Sequence, residues 1–351
     1  MVTSSRRLAD ELLFPNAIAT DRSPLLAREL LDALAAEGLY GMAGPDGLGG
    51  GPPLPEGGHL DVIEILAGAC LTTAFVWMQH HGAVLALLDD VPDELRARWL
   101  EPLCRGEVRA GAAFSGLRGS HGAQLRATPV DGGWRLDGSV PWVTGWGRID
   151  VVRTAALTAD ETIVWVLVDA VASASVRITQ LPLVALAATG TVRVAFDGHV
   201  VSSERVMSLQ PLAQWRARDA SAPTIHVNAA VALGIAGRSC MLRGRSALDD
   251  ELLACRAELR EATGEDRARL VAARAWAIDL AVRASHALVC AGGGRSLMLD
   301  HHAQRLSREA LFLLVFAQNE ELREAQLQLA ATISGERVAA HAAPAAARGG
   351  L

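Results

Sequence analysis

A serine in Gly119–Ser120–His121–Gly122, two adjacent histidine pairs and five cysteines are the side chains whose types could support nucleophilic or metal chemistry. Their spacing argues against each use. A hydrolase nucleophile sits in Gly-x-Ser-x-Gly on a strand-to-helix elbow, and Ser120 lacks both the pattern and the flanks. His80–His81 and His301–His302 lack the i, i+4 spacing of a helical metal site, so solvated or capping roles are expected and no metal. Cysteines 70, 104, 240, 255 and 290 form no CxxC pair and are odd in number, which suggests neither zinc nor a disulfide framework. They read as small buried hydrophobes in a reducing compartment. The Gly47–Gly51 cluster neither follows a strand nor opens a helix, so it fails the dinucleotide-binding test. Trp142 and Thr144 are different. Two apart in a β-rich run, they are expected on one face of a strand, an indole beside a hydroxyl.

All 33 basic residues among the 351 are arginine, and Tyr40 is the single tyrosine. Without lysine there is no pyridoxal Schiff base, no P-loop phosphate contact and no kinase ATP lysine. Any phosphate contact must come from arginine forks, backbone N–H groups or helix ends. A net charge of −6 gives no basic face for nucleic acid or an anionic membrane. Met1–Asp10 shows no apolar signal core, and no run approaches the roughly 20 apolar residues of a membrane span, Ala310–Ala317 being the best candidate. A cytoplasmic location is expected.

The elements that must position these residues fall into three regions. Residues 1–106 read as an N-terminal helical domain, with apolar three-four spacing from Leu25 and a long apolar helix over 60–88. Residues 107–212 carry short β-rich runs, "GWRLDGSVPWVTG", "DVVRTAALT", "TIVWVLVD", "SVRITQL" and "TVRVAFDG", suggesting a small antiparallel barrel or sandwich. Residues 213–335 are helical again, and 336–351 are expected to be a disordered tail. The whole is α+β with segregated elements.

Taken in order, these segments resemble the acyl-CoA dehydrogenase family from about Leu25 to Leu327. "LLDALAAEGLYGMAGPDGLGG" is similar to its N-terminal helix and Gly-rich exit, and "GGWRLDGSVPWVTG" to the strands carrying its Trp-x-Thr flavin contact. "ALVCAGGGRSL" and "AQRLSREALFLLVFAQN" resemble its Gly-Gly loop and late Arg-Asp helix. The resemblance implies FAD, contacted by Phe114, Ser115, Trp142, Thr144, Gly292 and Gly293, with Ser120 near the acyl thioester. It implies hydride transfer from the β-carbon of a thioester on CoA or a carrier protein, aided by a base for the α-proton. It also implies a homodimer, a homotetramer or a heteromer with a related subunit.

Two departures bear on mechanism. Ala317 occupies the position of the family's late-helix glutamate, and no carboxylate stands at the earlier alternative near Thr224, where His226 is a candidate substitute base or else a helix histidine satisfied by solvent or a carbonyl. The family's Arg-x-x-Phe-Gly cofactor clamp corresponds to "LDDELLACRAELREATGE", placing Asp250 and Leu253 near the arginine and phenylalanine. A carboxylate there repels pyrophosphate, leaving Arg245 or Arg256 to compensate. Three readings follow: a dehydrogenase-like flavoprotein with an absent or relocated base, a silent or half-site subunit of a heteromer, or a flavin monooxygenase on the same fold.

Overall fold

The structure is a computed structural model that describes residues 1–49, 51–117, 125–219 and 221–342, without the side chains of 218–219 and 333–342. Helix begins earlier than the three-four spacing suggests. Helix α1 (Val2–Leu8) passes through a π-helical turn, Ala9–Leu13, into α2 (Phe14–Asp21). The π turn sets the buried Leu8, Leu13 and Ala17 five and then four residues apart, a period that a 3.6-residue test does not register. Helix α3 (Arg28–Ala36) follows. The expected helix over 60–88 is two, α4 (Gly58–Ala69) and α5 (Leu71–Leu88), because buried Cys70 is extended at φ −150°. No proline or glycine at position 70 announces that break. Helix α6 (Asp93–Cys104) completes the N-terminal layer.

Eight strands form one sheet: β1 (Ala110–Ala113), β2 (Arg126–Val130), β3 (Gly133–Val143), β4 (Val151–Leu157), β5 (Thr162–Asp169), β6 (Val176–Gln180), β7 (Val192–Ser202) and β8 (Val206–Pro211). Its order is β6-β7-β3-β2-β4-β5-β8, with β1 beside β4. The sheet is mixed rather than antiparallel throughout, since β1 and β2 both run parallel to β4. One face packs Leu136, Val140, Val152, Val164 and Val194 together, while Trp165, Leu167 and Met207 pack with Leu95 and Trp99 of α6.

Helices α7 (Leu212–Asp219), α8 (Ala222–Arg243), α9 (Ala247–Glu261), α10 (Arg267–Gly292), α11 (His302–Leu313) and α12 (Glu320–Ala342) follow. Among the described helices α8 alone is long and apolar enough to cross a membrane by composition, a stretch that outranks Ala310–Ala317. Its middle, Ala229–Ala236, is buried in the helical core. Gly234 of α8 touches Gly68 of α4 so closely that a Cβ on Gly68 would lie 2.6 Å from the Gly234 carbonyl oxygen. The run Leu311–Phe316 is not a buried helix: α11 stops at Leu313, and Leu311 and Val315 are 50% and 66% exposed. Helix α12 continues to Ala342, into the segment expected to be disordered, and residues 343–351 lie outside the described residues.

Of the two histidine pairs, the first differs from the expected solvated or capping roles and the second supplies a cap. His80 and His81 are buried in α5 rather than solvated, edge-on to Tyr40 and Trp77 respectively. His301 caps α11 by accepting the Ala303 N–H. Four cysteines are buried, and Cys290 is exposed.

Candidate active site

Where the helical layers meet the end of the sheet lies a cavity of about 570 Å³. The turn after β1 delivers Phe114 and Ser115, the end of β3 delivers Trp142 and Thr144, α5 delivers Phe75 and Gln79, and the turn after α11 delivers Phe316 and Ala317. The strand alternation expected for Trp142 and Thr144 is not what aligns them. Pairing of β3 with β7 shifts register between Val140 and Val143, and Trp142 adopts φ +64°, a left-handed conformation costly for a bulky residue. That bulge leaves the indole 57% exposed at the cavity while Thr144, just beyond it, is 3% exposed. Ser115 Oγ donates to the Pro141 carbonyl and so ties the end of β1 to the bulge.

The same register carries Thr191 opposite Thr144. Thr144 and Thr191 hydroxyls lie 3.0 Å apart, Thr191 and Thr189 hydroxyls 2.8 Å apart, and Thr189 Oγ1 donates to the Leu186 carbonyl at 2.7 Å. Each hydroxyl has one proton. Thr189 spends its proton on the carbonyl, so Thr191 donates to Thr189, and Thr144 donates to Thr191. The Thr144 oxygen therefore has only acceptor capacity left to offer the cavity. Thr189 and Thr191 carried no signal in the sequence, because only the β3–β7 pairing brings them to Thr144.

Ala317 sits in the turn between α11 and α12 at φ +45°. Arg274 of α10, 5% exposed, holds that turn by donating to the Phe316 carbonyl at 2.8 Å and the Ala317 carbonyl at 3.4 Å. Asn319 caps α12 by accepting the Leu322 N–H at 2.9 Å. Ala317 and Gln318 also border a second cavity of about 200 Å³, with Leu117, Trp215, Arg216, Thr224, Asn228, Arg274 and Asn319. Arg274 was missed in the sequence, although an arginine inside the apolar "VAARAWAI" is an anomaly that could have flagged it.

Other expected site residues lie elsewhere. His226 borders neither cavity, and its ring nitrogens contact backbone carbonyls, Nδ1 that of Ala222 at 2.9 Å and Nε2 that of Leu259 at 2.9 Å. Gly292 and Gly293 form the turn leaving α10, with Gly292 packed on Ser296, and border neither cavity. Ser120 falls outside the described residues. Asp250 and Leu253 are exposed on α9, Arg245 is exposed just before it, and Arg256 is held by Glu64 at 2.9 Å. Among the described residues bordering either cavity there is no Asp, Glu, His, Cys or Tyr.

The larger cavity fits a planar ring system: its volume is that of a small-molecule site, its walls are mostly apolar, and an exposed indole and an oriented hydroxyl stand at one end. A FAD isoalloxazine would be held by Trp142, Thr144, Phe114 and Ser115. Of the two arginines expected to compensate for the clamp, Arg256 is committed to Glu64 at 2.9 Å and Arg245 is exposed.

Residues 1–107 match the family model for the acyl-CoA dehydrogenase N-terminal domain. The chain is 31% identical over 156 residues, 41% of its length, to the 3-sulfinopropanoyl-CoA desulfinase of Paraburkholderia xenovorans, covering 38% of that protein. It spans less than half the length of the curated relatives it matches. The fold superposes on glutaryl-coenzyme A dehydrogenase in its glutaryl-CoA complex with a TM-score of 0.80 at 15% identity, covering 95% of this chain and 94% of that one. It superposes on a glutaryl-CoA dehydrogenase of Mycobacterium smegmatis in complex with FADH2 with a TM-score of 0.75 at 16% identity, covering 93% and 92%.

Proposed function

We propose that the chain is a member of the acyl-CoA dehydrogenase family, whose N-terminal domain model its residues 1–107 match, and that it is a flavoprotein oxidising an acyl thioester at Cα–Cβ, with the α-proton base missing from position 317. The observation that carries this reading is the convergence of Phe114, Ser115, Trp142, Thr144 and Ala317 on one cavity. Flavin, when bound, supplies the hydride acceptor. The protein's own residues bind and orient. Trp142 and Thr144 fix the ring, Phe75 and Phe312 exclude water, and the Ala317 turn, braced by Arg274, presents backbone toward the thioester carbonyl.

On this reading the α-proton has no base at position 317, and none of the described residues bordering either cavity is an Asp, Glu, His, Cys or Tyr. That observation favours a second reading, a half-site subunit of a heteromer whose partner completes the base and the cofactor clamp. Purifying the chain alone, adding FAD and titrating acyl-CoA separates the readings. A yellow protein whose flavin band is perturbed by thioester and slowly bleached supports the first. A flavin-free chain that gains flavin only with a related subunit supports the second.

A further inference from the structure

Resting on the proposed thioester reading, we infer that Gln79 is a specificity residue of the larger cavity, its side-chain amide receiving an uncharged oxygen, a hydroxyl or keto group, on the acyl chain. Most polar groups of that wall are already committed. Ser115 donates to the Pro141 carbonyl, and Thr144, Thr191 and Thr189 pass their protons along the relay to the Leu186 carbonyl. Gln318 gives its Nε2 to the Leu314 carbonyl at 2.9 Å and to Gln326 Oε1 at 3.0 Å. Trp142 keeps its indole at the flavin end. The Gln79 amide is different: it borders the cavity half-buried and has no hydrogen-bond partner among the described residues. Its place on α5 sets it along the acyl chain. Phe75, one turn earlier on the same face, meets Phe312 and Phe316 edge-on at 5.0 and 5.1 Å, and Phe316 adjoins Ala317. A helical turn of about 5.4 Å separates Phe75 from Gln79, so the amide stands several carbons along a chain that starts at the Ala317 turn. An amide both donates and accepts, which matches a hydroxyl in both directions and a keto oxygen through its N–H. Among the described residues this wall carries no charged side chain, so a charged acyl end would be desolvated there without a counterion. A purely alkyl chain would strip water from the amide and return no hydrogen bond.

The test measures dissociation constants of the FAD-supplemented full chain for thioesters that exchange one oxygen for a methyl group: γ-hydroxybutyryl- against valeryl-CoA, δ-hydroxyvaleryl- against hexanoyl-CoA, and δ-oxohexanoyl- against δ-methylhexanoyl-CoA. At least one oxygenated member is expected to bind about fivefold more tightly than its alkyl partner, the usual worth of one neutral hydrogen bond. In Gln79→Leu that preference should vanish or reverse. Gln79→Met, which keeps the side-chain length and loses the N–H donors, should do the same, so a folding defect peculiar to one replacement does not decide the outcome. Equal binding within every pair, or a preference that survives both variants, overturns the role of Gln79 but leaves thioester binding standing. Lost FAD affinity in both variants with the thioester preference intact would put the amide on the flavin and overturn it equally. Failure of every thioester to bind the parent chain overturns the thioester reading as well.

Discussion

At the residue scale, one missing carboxylate and one hydroxyl relay define the site. Proton bookkeeping along Thr144–Thr191–Thr189 ends on the Leu186 carbonyl and makes the Thr144 oxygen an acceptor. An acceptor beside a flavin ring nitrogen favours the protonated, reduced ring. Thr191→Val frees the Thr144 proton to donate instead, so the midpoint potential of bound FAD should fall. A neutral hydrogen bond of about 1 kcal/mol corresponds to on the order of 20 mV for a two-electron couple. Spectroelectrochemistry of the FAD-loaded variant reads this directly, and an unchanged potential removes the relay from the account. Trp142, Thr144 and Ala317 were named from the sequence through the family resemblance, and all three border the cavity. Thr191, Arg274 and Arg216 were not, because register and helix packing, rather than chain proximity, bring them to the cavities.

At the element scale, α5 forms part of the cavity wall on one side and buries two histidines on the other. Burial holds the His81 imidazole down at about 3, and neither ring nitrogen has a hydrogen-bond partner among the described residues. Burial also lowers His80, whose Nδ1 accepts the Ala110 N–H. In the unfolded chain each ring titrates near 6.5, so the unfolded state takes up protons first as pH falls. The His81 contribution to stability is therefore intact above about 6.5 and is lost progressively down to about 3, by roughly 1.4 kcal/mol per pH unit, and that of His80 runs in the same direction. Urea midpoints between pH 7 and 5.5 should decline less steeply in His81→Leu than in the parent chain. An equal slope would place the titration elsewhere. The alternation expected across Trp142 and Thr144 failed for a physical reason: a bulge, which hydrophobic pattern does not encode, turns the indole out at the end of β3.

At the scale of the whole molecule, the N-terminal and C-terminal helices share one core and are joined at Gly68 and Gly234, where α4 and α8 come within backbone contact. A Cβ on Gly234 would lie 2.4 Å from the Glu64 carbonyl oxygen, so Gly234→Ala must push α4 and α8 apart. The expected cost is about 1–3 kcal/mol of unfolding free energy, checked by urea denaturation. A neutral outcome would mean the two helices slide without loss. The helix–strand–helix order was legible from periodicity, whereas the π turn, the break at Cys70 and the parallel pairings of β4 were not. Those features depend on contacts between distant segments.

The proposed flavin and thioester site lacks the base expected at position 317, and anaerobic stopped-flow reduction of FAD by acyl-CoA tests that proposal most directly. Ala317→Glu places a carboxylate at the turn that borders both cavities without altering its backbone class, because neither residue is glycine. Flavin reduction should accelerate by about 10²–10⁴-fold over the parent chain, the usual contribution of a positioned base. An FAD-loaded variant that reduces no faster than the parent would contradict the assignment of position 317 as the vacant base site.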